Sequence, residues 1–297
     1  MADLIYIIGS GRSGSTVMER ILNTAPRVVG VGEIHALWRL PVETLLCSCG
    51  KRVPECSFWQ EALGHADIGP AELARLAELE TSVVRNKYLM TLRYNLDRIR
   101  ADDRLAEFID LQRRLFDGTR KAGGGDVVLD SSKAGPRAWV LAAGLSPVFL
   151  HAYRAAEDVI ASWRRPKFEP STNSPMKKPP IREAAADWIK VEQAARSLSR
   201  KSTLRRIDYP DFSRHPKAAL ERALEPDFPG LAGEISWVSE NSVRPSENYH
   251  SVLGNPDRFS REDIVIRPQH ATDRSKFAAP ERIAIQLIGK GLQAIYS

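Results

Sequence analysis

The stretch IIGSGRSGST, residues 7–16, places three glycines within six positions directly after an apolar run. The run Leu4–Ile8 is rich in β-branched residues and predicts a buried strand. After the glycines, apolar residues recur at helical spacing at Val17, Met18, Ile21 and Leu22. A glycine-rich turn between a strand and a helix offers backbone N–H groups and a helix N-terminus to an anion. The sequence therefore predicts a phosphate-binding loop at this position.

Apolar, strand-like runs alternate with helical patterns along much of the chain. Runs at Val28–Val31, Val127–Leu129 and Val148–Leu150 predict buried strands, and Ala134–Ala143 predicts a helix between two of them. This alternation is typical of an α/β fold, here a P-loop-like parallel sheet flanked by helices. Leucines at helical spacing from about residue 70 to about residue 120 predict a helical insertion over the substrate cleft. We expect residues 1–297 to form a single domain that includes this insertion.

The glycine spacing fits a dinucleotide-binding loop. Gly9, Gly11 and Gly14 spell G-x-G-x-x-G. Glu33 lies about 20 positions further on, where such folds place an acidic residue that binds the ribose. A Rossmann-type, NAD(P)-binding oxidoreductase is therefore an open alternative.

The same glycines also have the spacing of a nucleotide P-loop. Ser15 stands where that motif has its lysine, and Thr16 stands at the position of its hydroxyl residue. Asp130, after a predicted strand, is the candidate for the acidic partner of Mg²⁺. A P-loop kinase or other phosphotransferase is therefore a second open alternative.

A third interpretation assigns the cation of the loop to Arg12. An arginine can clamp an anion with two N–H bonds, and serine and threonine hydroxyls can add further donors. The backbone N–H groups and the helix dipole favour the same charge. Such a site requires no metal if the transferred group has fewer charges than a γ-phosphoryl group, as a sulfuryl group has. The candidate binding residues of the loop are Gly11, Arg12, Ser13, Gly14, Ser15 and Thr16.

A second candidate anion-binding pair lies far along the chain. Arg154 follows a predicted strand, and Ser162 lies eight residues later in a predicted helix. If Arg154 precedes that helix and Ser162 lies on its second turn, both can reach one anion beside the glycine loop.

The loop and this pair resemble the sulfotransferases that use 3′-phosphoadenosine-5′-phosphosulfate (PAPS). The segment GSGRSGST is similar to their 5′-phosphosulfate loop in its arginine-containing form, and the spacing from Arg154 to Ser162 is similar to that of their 3′-phosphate site. Similar stretches in bacterial members correspond to CSCGKRVPECSFW, LDSSKAGPRAW and GNPDRF. The resemblance covers roughly residues 1–60 and 125–165 and a C-terminal patch. It implies transfer of a sulfuryl group from PAPS, as co-substrate, to a hydroxyl, with no metal required.

The chain departs from the family pattern in two places. Ala155 and Ala156 follow Arg154, where the family usually has an acidic residue and proline. The C-terminal Arg-Lys-Gly motif of the cytosolic enzymes is absent, and Arg258 in GNPDRF is our candidate for the missing cation.

The segment VGVGEIHALW supplies two candidate catalytic bases. Glu33 resembles the Gly-Glu of arginine-loop sulfotransferases, in which a glutamate acts as the base. His35 has an ordinary pKa that suits proton transfer near neutral pH. We favour Glu33 and keep His35 as the alternative. Arg12 is expected to stabilise charge on the departing phosphate, and Lys133 to add positive charge near the cofactor.

Composition limits the classes of binding partner and the cellular locations that we expect for this protein. The net charge is +6, and basic residues are spread widely, so we expect no nucleic acid and a hydroxylated small-molecule, sugar or lipid acceptor. No apolar run approaches about 20 residues, which predicts no transmembrane segment. The first residues lack the basic start and cleavage site of a signal peptide, so we expect a cytoplasmic protein. The sequence leaves open a homo-oligomer.

Three cysteines lie close together in CSCGKRVPEC, at Cys47, Cys49 and Cys56. Their spacing suggests zinc, but no fourth ligand follows nearby and His65 is a poor candidate. The sequence therefore predicts reduced structural thiols and no metal, with a metal site or a redox pair as the alternatives.

Overall fold

The computed structural model describes residues 3–92, 94–165, 168–169, 174–175, 178–269 and 277–296. The strands are β1 (Leu4–Ile8), β2 (Val28–Gly32), β3 (Val127–Lys133), β4 (Val148–Tyr153), β5 (Phe168–Glu169), β6 (Ser174–Pro175), β7 (Leu204–Asp208), β8 (Trp237–Ser239), β9 (Ser242–Val243) and β10 (Ile264–Val265). The α-helices are α1 (Ser15–Leu22), α2 (Ala36–Arg39), α3 (Ser57–Ala66), α4 (Pro70–Leu79), α5 (Asn86–Thr91), α6 (Leu96–Arg100), α7 (Asp103–Gly123), α8 (Gly135–Gly144), α9 (Ala156–Arg164), α10 (Ile181–Leu198), α11 (Tyr209–Arg214), α12 (Pro216–Leu224) and α13 (Ala279–Tyr296). Short 3₁₀ helices cover Val42–Thr44, Val53–Glu55, Leu231–Glu234 and Pro256–Phe259, and a π-helix covers Glu80–Val84.

Among these described helices, none is long and apolar enough to cross a bilayer.

Five strands form the central sheet in the order β2–β3–β1–β4–β7, and all neighbouring strands are parallel. Every residue of β1 is buried, which explains why its sequence is an unbroken apolar run. The side chains of β1 alternate between two apolar clusters, one that includes residues of α3, α7 and α8 and one that includes residues of α1 and α12. Helices therefore cover both faces of the sheet, and the predicted α/β fold is confirmed.

The strand order differs from that of dinucleotide-binding folds. In those folds the second strand lies directly beside the first, and its acidic end faces the glycine loop. Here β3 lies between β1 and β2. Glu33, at the end of β2, is therefore two strands away from the loop that follows β1, and the arrangement expected of a Rossmann fold is absent from this sheet.

The predicted helical insertion consists of α4, the π-helix, α5, α6 and α7, which together span residues 70–123. Helix α7 packs against α3 and also contacts β2 and β3. Met90 of α5 and Tyr94 line a cavity at the edge where the parallel strands end, here called the carboxyl edge. The insertion thus contributes to the wall of this cavity.

Strand β3 continues four residues beyond its predicted end, through polar positions to Lys133. Asp130 is fully buried there and accepts hydrogen bonds from the backbone N–H and the hydroxyl of Ser132, at 2.9 and 2.5 Å. It also forms an ion pair with Arg137 of α8, which is fully buried as well. Because these partners satisfy the carboxylate, the strand continues without an unpaired buried charge. Asp130 is thereby engaged inside the core rather than presented as a ligand for Mg²⁺, contrary to the kinase alternative.

We expect Arg137→Met to destabilise the protein strongly. The substitution leaves the Asp130 carboxylate buried without its charged partner, which costs about 3–5 kcal/mol in comparable pairs. Urea denaturation measures the loss in free energy of unfolding.

The matched control is Arg222→Met, which breaks an exposed ion pair with Asp211. Such surface pairs contribute about 0–1 kcal/mol. Equal losses in the two variants would contradict the structural role assigned to the buried pair.

Candidate functional site

The candidate site lies at the carboxyl edge of the sheet, where parallel strands end side by side. The glycine loop follows β1, Lys133 ends β3, and Arg154 follows β4. The Nη1 atom of Arg154 donates a hydrogen bond to the carbonyl of Arg12 at 3.0 Å, and Lys133 Nζ forms an ion pair with Glu33 Oε1. The structure therefore brings together residues that are 100 and 142 positions apart in sequence.

The glycine loop has the strained backbone and tight packing that its composition suggests. Gly14 has φ 98° and Arg12 has φ 72°, both in the left-handed region. A Cβ at Gly11 would clash with the ring of Trp163, and a Cβ at Gly14 would clash with the ring of Tyr209. Helix α1 begins at Ser15 with no acidic residue in its first turn and no side-chain cap. The positive end of this helix is thus left for an external anion.

The side chains of the loop add donors to this helix end. Ser13 is fully buried, and its hydroxyl has no hydrogen-bond partner among the described residues. The guanidinium of Arg12 lies 4.7 Å from the centre of the Trp163 ring, and that of Arg154 lies 4.5 Å from the centre of the Tyr209 ring. Burial lowers the pKa of both guanidiniums, yet arginine remains charged in proteins. Two partly desolvated cations therefore converge on the loop.

The two candidate bases occupy the same corner of the site. Glu33 Oε2 lies 3.8 Å from His35 Nε2, a distance beyond hydrogen bonding, and both side chains are largely buried. Burial, with the positive charges of Arg39, Arg137 and Lys133, holds the pKa of His35 well below its usual range. His35 is therefore neutral at neutral pH, and Lys133 is the charged partner of Glu33.

The segment GNPDRF, residues 254–259, closes one side of the site. Its Asn255 N–H donates to Thr16 Oγ1 at 3.3 Å. A Cβ at Gly254 would lie 3.7 Å from Glu33 Oε1, so this turn lies against the carboxylate. Arg258 is buried beneath the turn and donates to the Gly254 carbonyl at 3.2 Å. The structure thus places Arg258 as a support of the turn at the edge of the site.

The second predicted pair has the expected relation to its helix. Arg154 lies two residues before α9, and Ser162 lies on the second turn of that helix. The Nε1 atom of Trp188 donates to the Arg154 carbonyl at 2.8 Å and fixes the chain between β4 and α9.

A cavity of about 910 Å³ adjoins the glycine loop and the candidate bases. Its walls come from the carboxyl edge, the helical insertion and the helices α2, α8, α9 and α10. Sequence reasoning missed Trp163 and the polar pair Asp187 and Lys190 in this lining, because nothing in the local pattern of their helices points to the sheet edge. Asp187 also accepts a hydrogen bond from the Gly11 N–H.

Sequence reasoning also missed a buried carboxylate beneath the site. Glu19 of α1 is almost fully buried and accepts hydrogen bonds from the Gly32 N–H at 2.7 Å and the Ser131 hydroxyl at 2.5 Å. It thereby ties α1 to the ends of β2 and β3, directly below Glu33. Burial raises the pKa of Glu19 to about 7.

We expect Glu19 to make the stability of the protein depend on pH. Its folded pKa of about 7 lies above the ordinary value of 4.5, so the folded state binds the proton more tightly than the unfolded state. The corresponding stabilisation is present below about pH 4.5 and is lost as the pH rises through about 7, a change of about 3 kcal/mol. Glu19→Gln removes this titration, and its stability relative to wild type should rise across that window in urea denaturation.

The control is Glu61→Gln, an exposed position on α3. Its stability relative to wild type should stay flat across the same pH range. A parallel pH dependence in wild type and Glu19→Gln would refute the assignment to Glu19.

Comparisons with known proteins identify two solved structures of similar fold. One is the sulfotransferase domain of the olefin synthase of Synechococcus PCC 7002, at 15% identity and a TM-score of 0.48, covering 98% of this chain and 94% of that chain. The other is the sulfotransferase STF9 from Mycobacterium avium, at 15% identity and a TM-score of 0.44, covering 78% of this chain and 66% of that chain. Neither a protein-family model nor a curated protein matches the chain. Both structural neighbours are sulfotransferases, and the inference of function below is argued from the site itself.

Proposed function

We propose that this protein is a sulfotransferase that moves the sulfuryl group of PAPS to a hydroxyl of a small-molecule, sugar or lipid acceptor. The observation that carries the proposal is the convergence of Arg12 and Arg154 at a helix N-terminus, with the Glu33–Lys133 pair at the same edge of the sheet. Together these groups offer an anion clamp and an adjacent carboxylate.

The anion clamp fits the phosphate and sulfate groups of PAPS. The Ser13 hydroxyl is a buried polar atom that lacks a partner among the described residues, and a bound oxyanion would satisfy it. Arg12, Ser15 and Thr16 would hold the 5′-phosphosulfate at the start of α1. Arg154 and Ser162 would hold the 3′-phosphate, and Arg258 would support the Gly254 turn, which lies beside Thr16.

Two features favour sulfuryl over phosphoryl transfer. Ser15 replaces the lysine that reaches the β- and γ-phosphates in kinases. Asp130, the candidate acidic partner of Mg²⁺, is paired with Arg137 inside the core. The remaining donors suit a group that carries less charge than a γ-phosphoryl group and that requires no metal.

The proposed mechanism assigns one task to each side of the site. When bound, PAPS supplies an activated sulfuryl group for in-line transfer. Glu33 takes the proton of the acceptor hydroxyl as the acceptor oxygen attacks the sulfuryl group. Lys133 holds the Glu33 carboxylate in place. Arg12 stabilises the negative charge that develops on the departing phosphate. His35, which is neutral, is the alternative base.

The cavity of about 910 Å³ between the loop, the helical insertion and α10 is the proposed acceptor pocket. Its lining combines the rings of Tyr94, Trp139 and Trp163 with the charged side chains of Asp187 and Lys190. This mixture suits an acceptor with an apolar body and polar hydroxyls. We propose that the chain acts as one domain, that it works in the cytoplasm and that it binds no nucleic acid. Whether it forms a homo-oligomer is left open.

Titration calorimetry with 3′,5′-adenosine bisphosphate tests the donor site without an acceptor. We expect the wild-type protein to bind this nucleotide, and Arg12→Ala to weaken the affinity by about 10–100-fold, because a hydrogen-bonded charge pair is lost. Arg12→Lys should recover part of the affinity, since it keeps the charge without the two-pronged geometry.

The matched control for this titration is Arg113→Ala, an exposed arginine of α7 that pairs with Asp110 and is not assigned to the donor site, which should bind like wild type. Absence of heat with the intact wild-type protein would reject the donor site. Tighter binding of NADH or ATP than of the bisphosphate would favour one of the alternative functions instead.

Turnover with a labelled sulfate donor across a panel of hydroxylated acceptors tests the base. With an acceptor that is turned over, we expect Glu33→Gln to lower kcat by about 10²–10⁴-fold, the range that general base catalysis contributes. Its affinity for the bisphosphate should change little, because Glu33 takes no part in the proposed anion clamp.

The comparison variant is His35→Gln, which should keep most of the turnover. A collapse of turnover in His35→Gln with normal activity in Glu33→Gln would transfer the role of base to His35.

A further inference from the structure

The three cysteines meet a histidine from the other end of the chain. Cys47, Cys49 and Cys56 lie with His250 so that their four ligand atoms are all within 4.8 Å of one another. His250 Nδ1 is 3.6 Å from Cys47 Sγ and 3.3 Å from Cys56 Sγ. Cys56 Sγ is 3.6 Å from Cys49 Sγ and 3.8 Å from Cys47 Sγ. This group, here called the Cys₃His cluster, lies outside the residues assigned to sulfuryl transfer.

These four separations are close to the edges of a tetrahedron around zinc. Zn–S bonds of about 2.3 Å and Zn–N bonds of about 2.0–2.1 Å place sulfurs about 3.8 Å apart and a sulfur and a nitrogen about 3.6 Å apart. A disulfide would instead bring two sulfurs to about 2.05 Å, and all three thiols are free.

The backbone around the first two cysteines forms a tight turn that aims both sulfurs at one point. Cys47 N–H donates to the Lys51 carbonyl, and Gly50 N–H donates to the Cys47 carbonyl, each at 2.9 Å. Gly50 has φ 89° in open space, as a glycine at such a turn can adopt without strain.

The other two members of the cluster are held just as firmly. Cys56 lies at the N-terminus of α3, where its sulfur accepts a hydrogen bond from the Trp59 N–H. The ring of Phe58 stacks on His250, with centroids 4.8 Å apart and planes 7° apart. Cys56 and His250 are thus oriented by contacts with residues outside the cluster.

We propose that Cys47, Cys49, Cys56 and His250 bind one zinc ion as a closed structural site. Three thiolates and one imidazole complete a tetrahedral shell, so no position is left for water or substrate. Binding requires the three thiols to release their protons to solvent and the histidine to be neutral. The proposal replaces the sequence-based prediction of free thiols without metal.

The fourth ligand escaped the sequence argument because it lies 194 residues after Cys56. His65, the nearest histidine in that argument, is an exposed residue of α3 outside the cluster.

A zinc ion in the cluster would stabilise the position of residues 250–252, which lie beside the proposed catalytic carboxylate of Glu33. Ser48, between two of the ligands, exchanges hydrogen bonds with Ser251: its N–H donates to the Ser251 carbonyl, and its hydroxyl accepts from the Ser251 N–H, each at 2.9 Å. One residue further, the Val252 carbonyl accepts the Glu33 N–H at 2.8 Å. Zinc would therefore hold residues 250–252 against the end of β2, and with them the turn at Gly254.

Metal content, measured on the full chain without a polyhistidine tag, tests this proposal independently of any activity. Elemental analysis by mass spectrometry should find about one zinc per chain after growth with zinc. Replacement by Co²⁺ should give thiolate-to-cobalt charge-transfer bands and the intense d–d bands of a tetrahedral site. Chelation should lower the Tm by at least about 5 °C, because the ligand-bound folded state is lost.

Variants separate the cluster from incidental binding. Cys49→Ser changes the half-buried cysteine with the least disturbance of packing. Cys49→Ser and His250→Ala, tested as separate variants, should each lower the zinc content to below about a tenth per chain. His65→Ala, the matched control, should keep about one zinc per chain.

Three results would overturn the proposal. One is a zinc-supplemented wild-type protein without stoichiometric zinc, in which all three thiols react in a thiol titration. The second is a disulfide among the cysteines, detected by mass spectrometry. The third is full zinc retention in both ligand variants, which would place the metal elsewhere.

Discussion

The parallel arrangement of the central strands is the constraint on which the candidate site depends. Strand β1 lies between β3 and β4, and parallel neighbours end at the same edge of a sheet. The glycine loop, Lys133 and Arg154 follow these three strands and are therefore neighbours in space. The hydrogen bond from Arg154 to the Arg12 carbonyl is a direct consequence of this order. A different strand order would separate the same residues, however suitable their chemistry.

Partial burial at this edge strengthens the electrostatic interactions that the two arginines can make with an anion. Arg12 and Arg154 lie over aromatic rings, so each guanidinium loses water on one face and keeps its charge. A partly desolvated cation interacts more strongly with an anion than an exposed one does. The same rings of Trp163 and Tyr209 occupy the space where Cβ atoms would stand at Gly11 and Gly14. The glycines therefore serve the packing of these rings as well as the proposed approach of a phosphate.

The parts of the site that the sequence predicts are those with a local pattern. An apolar run, a glycine spacing and helical periodicity together locate the loop, and a strand end locates Arg154. The further course of β3 could not be predicted, because the buried Asp130 carboxylate is satisfied in part by Arg137, seven residues later on α8. Glu19 is a comparable case. Its position in a helical pattern suggests an exposed carboxylate, and only the fold places Gly32 and Ser131 around it.

The contacts that no local pattern could reveal are those between segments that lie far apart in sequence, such as β2 and the chain near residue 250. Gly32 has φ 75°, and a Cβ there would clash with the backbone of Val252. This close approach lets the chain near residue 250 pair with the end of β2 and reach the cysteine turn at the same time. A Cβ at position 32 would require one of the two backbones to shift. The geometry of Glu33 and the geometry of the Cys₃His cluster therefore share the pairing between the end of β2 and Val252, which is why neither can be understood from its own segment of sequence.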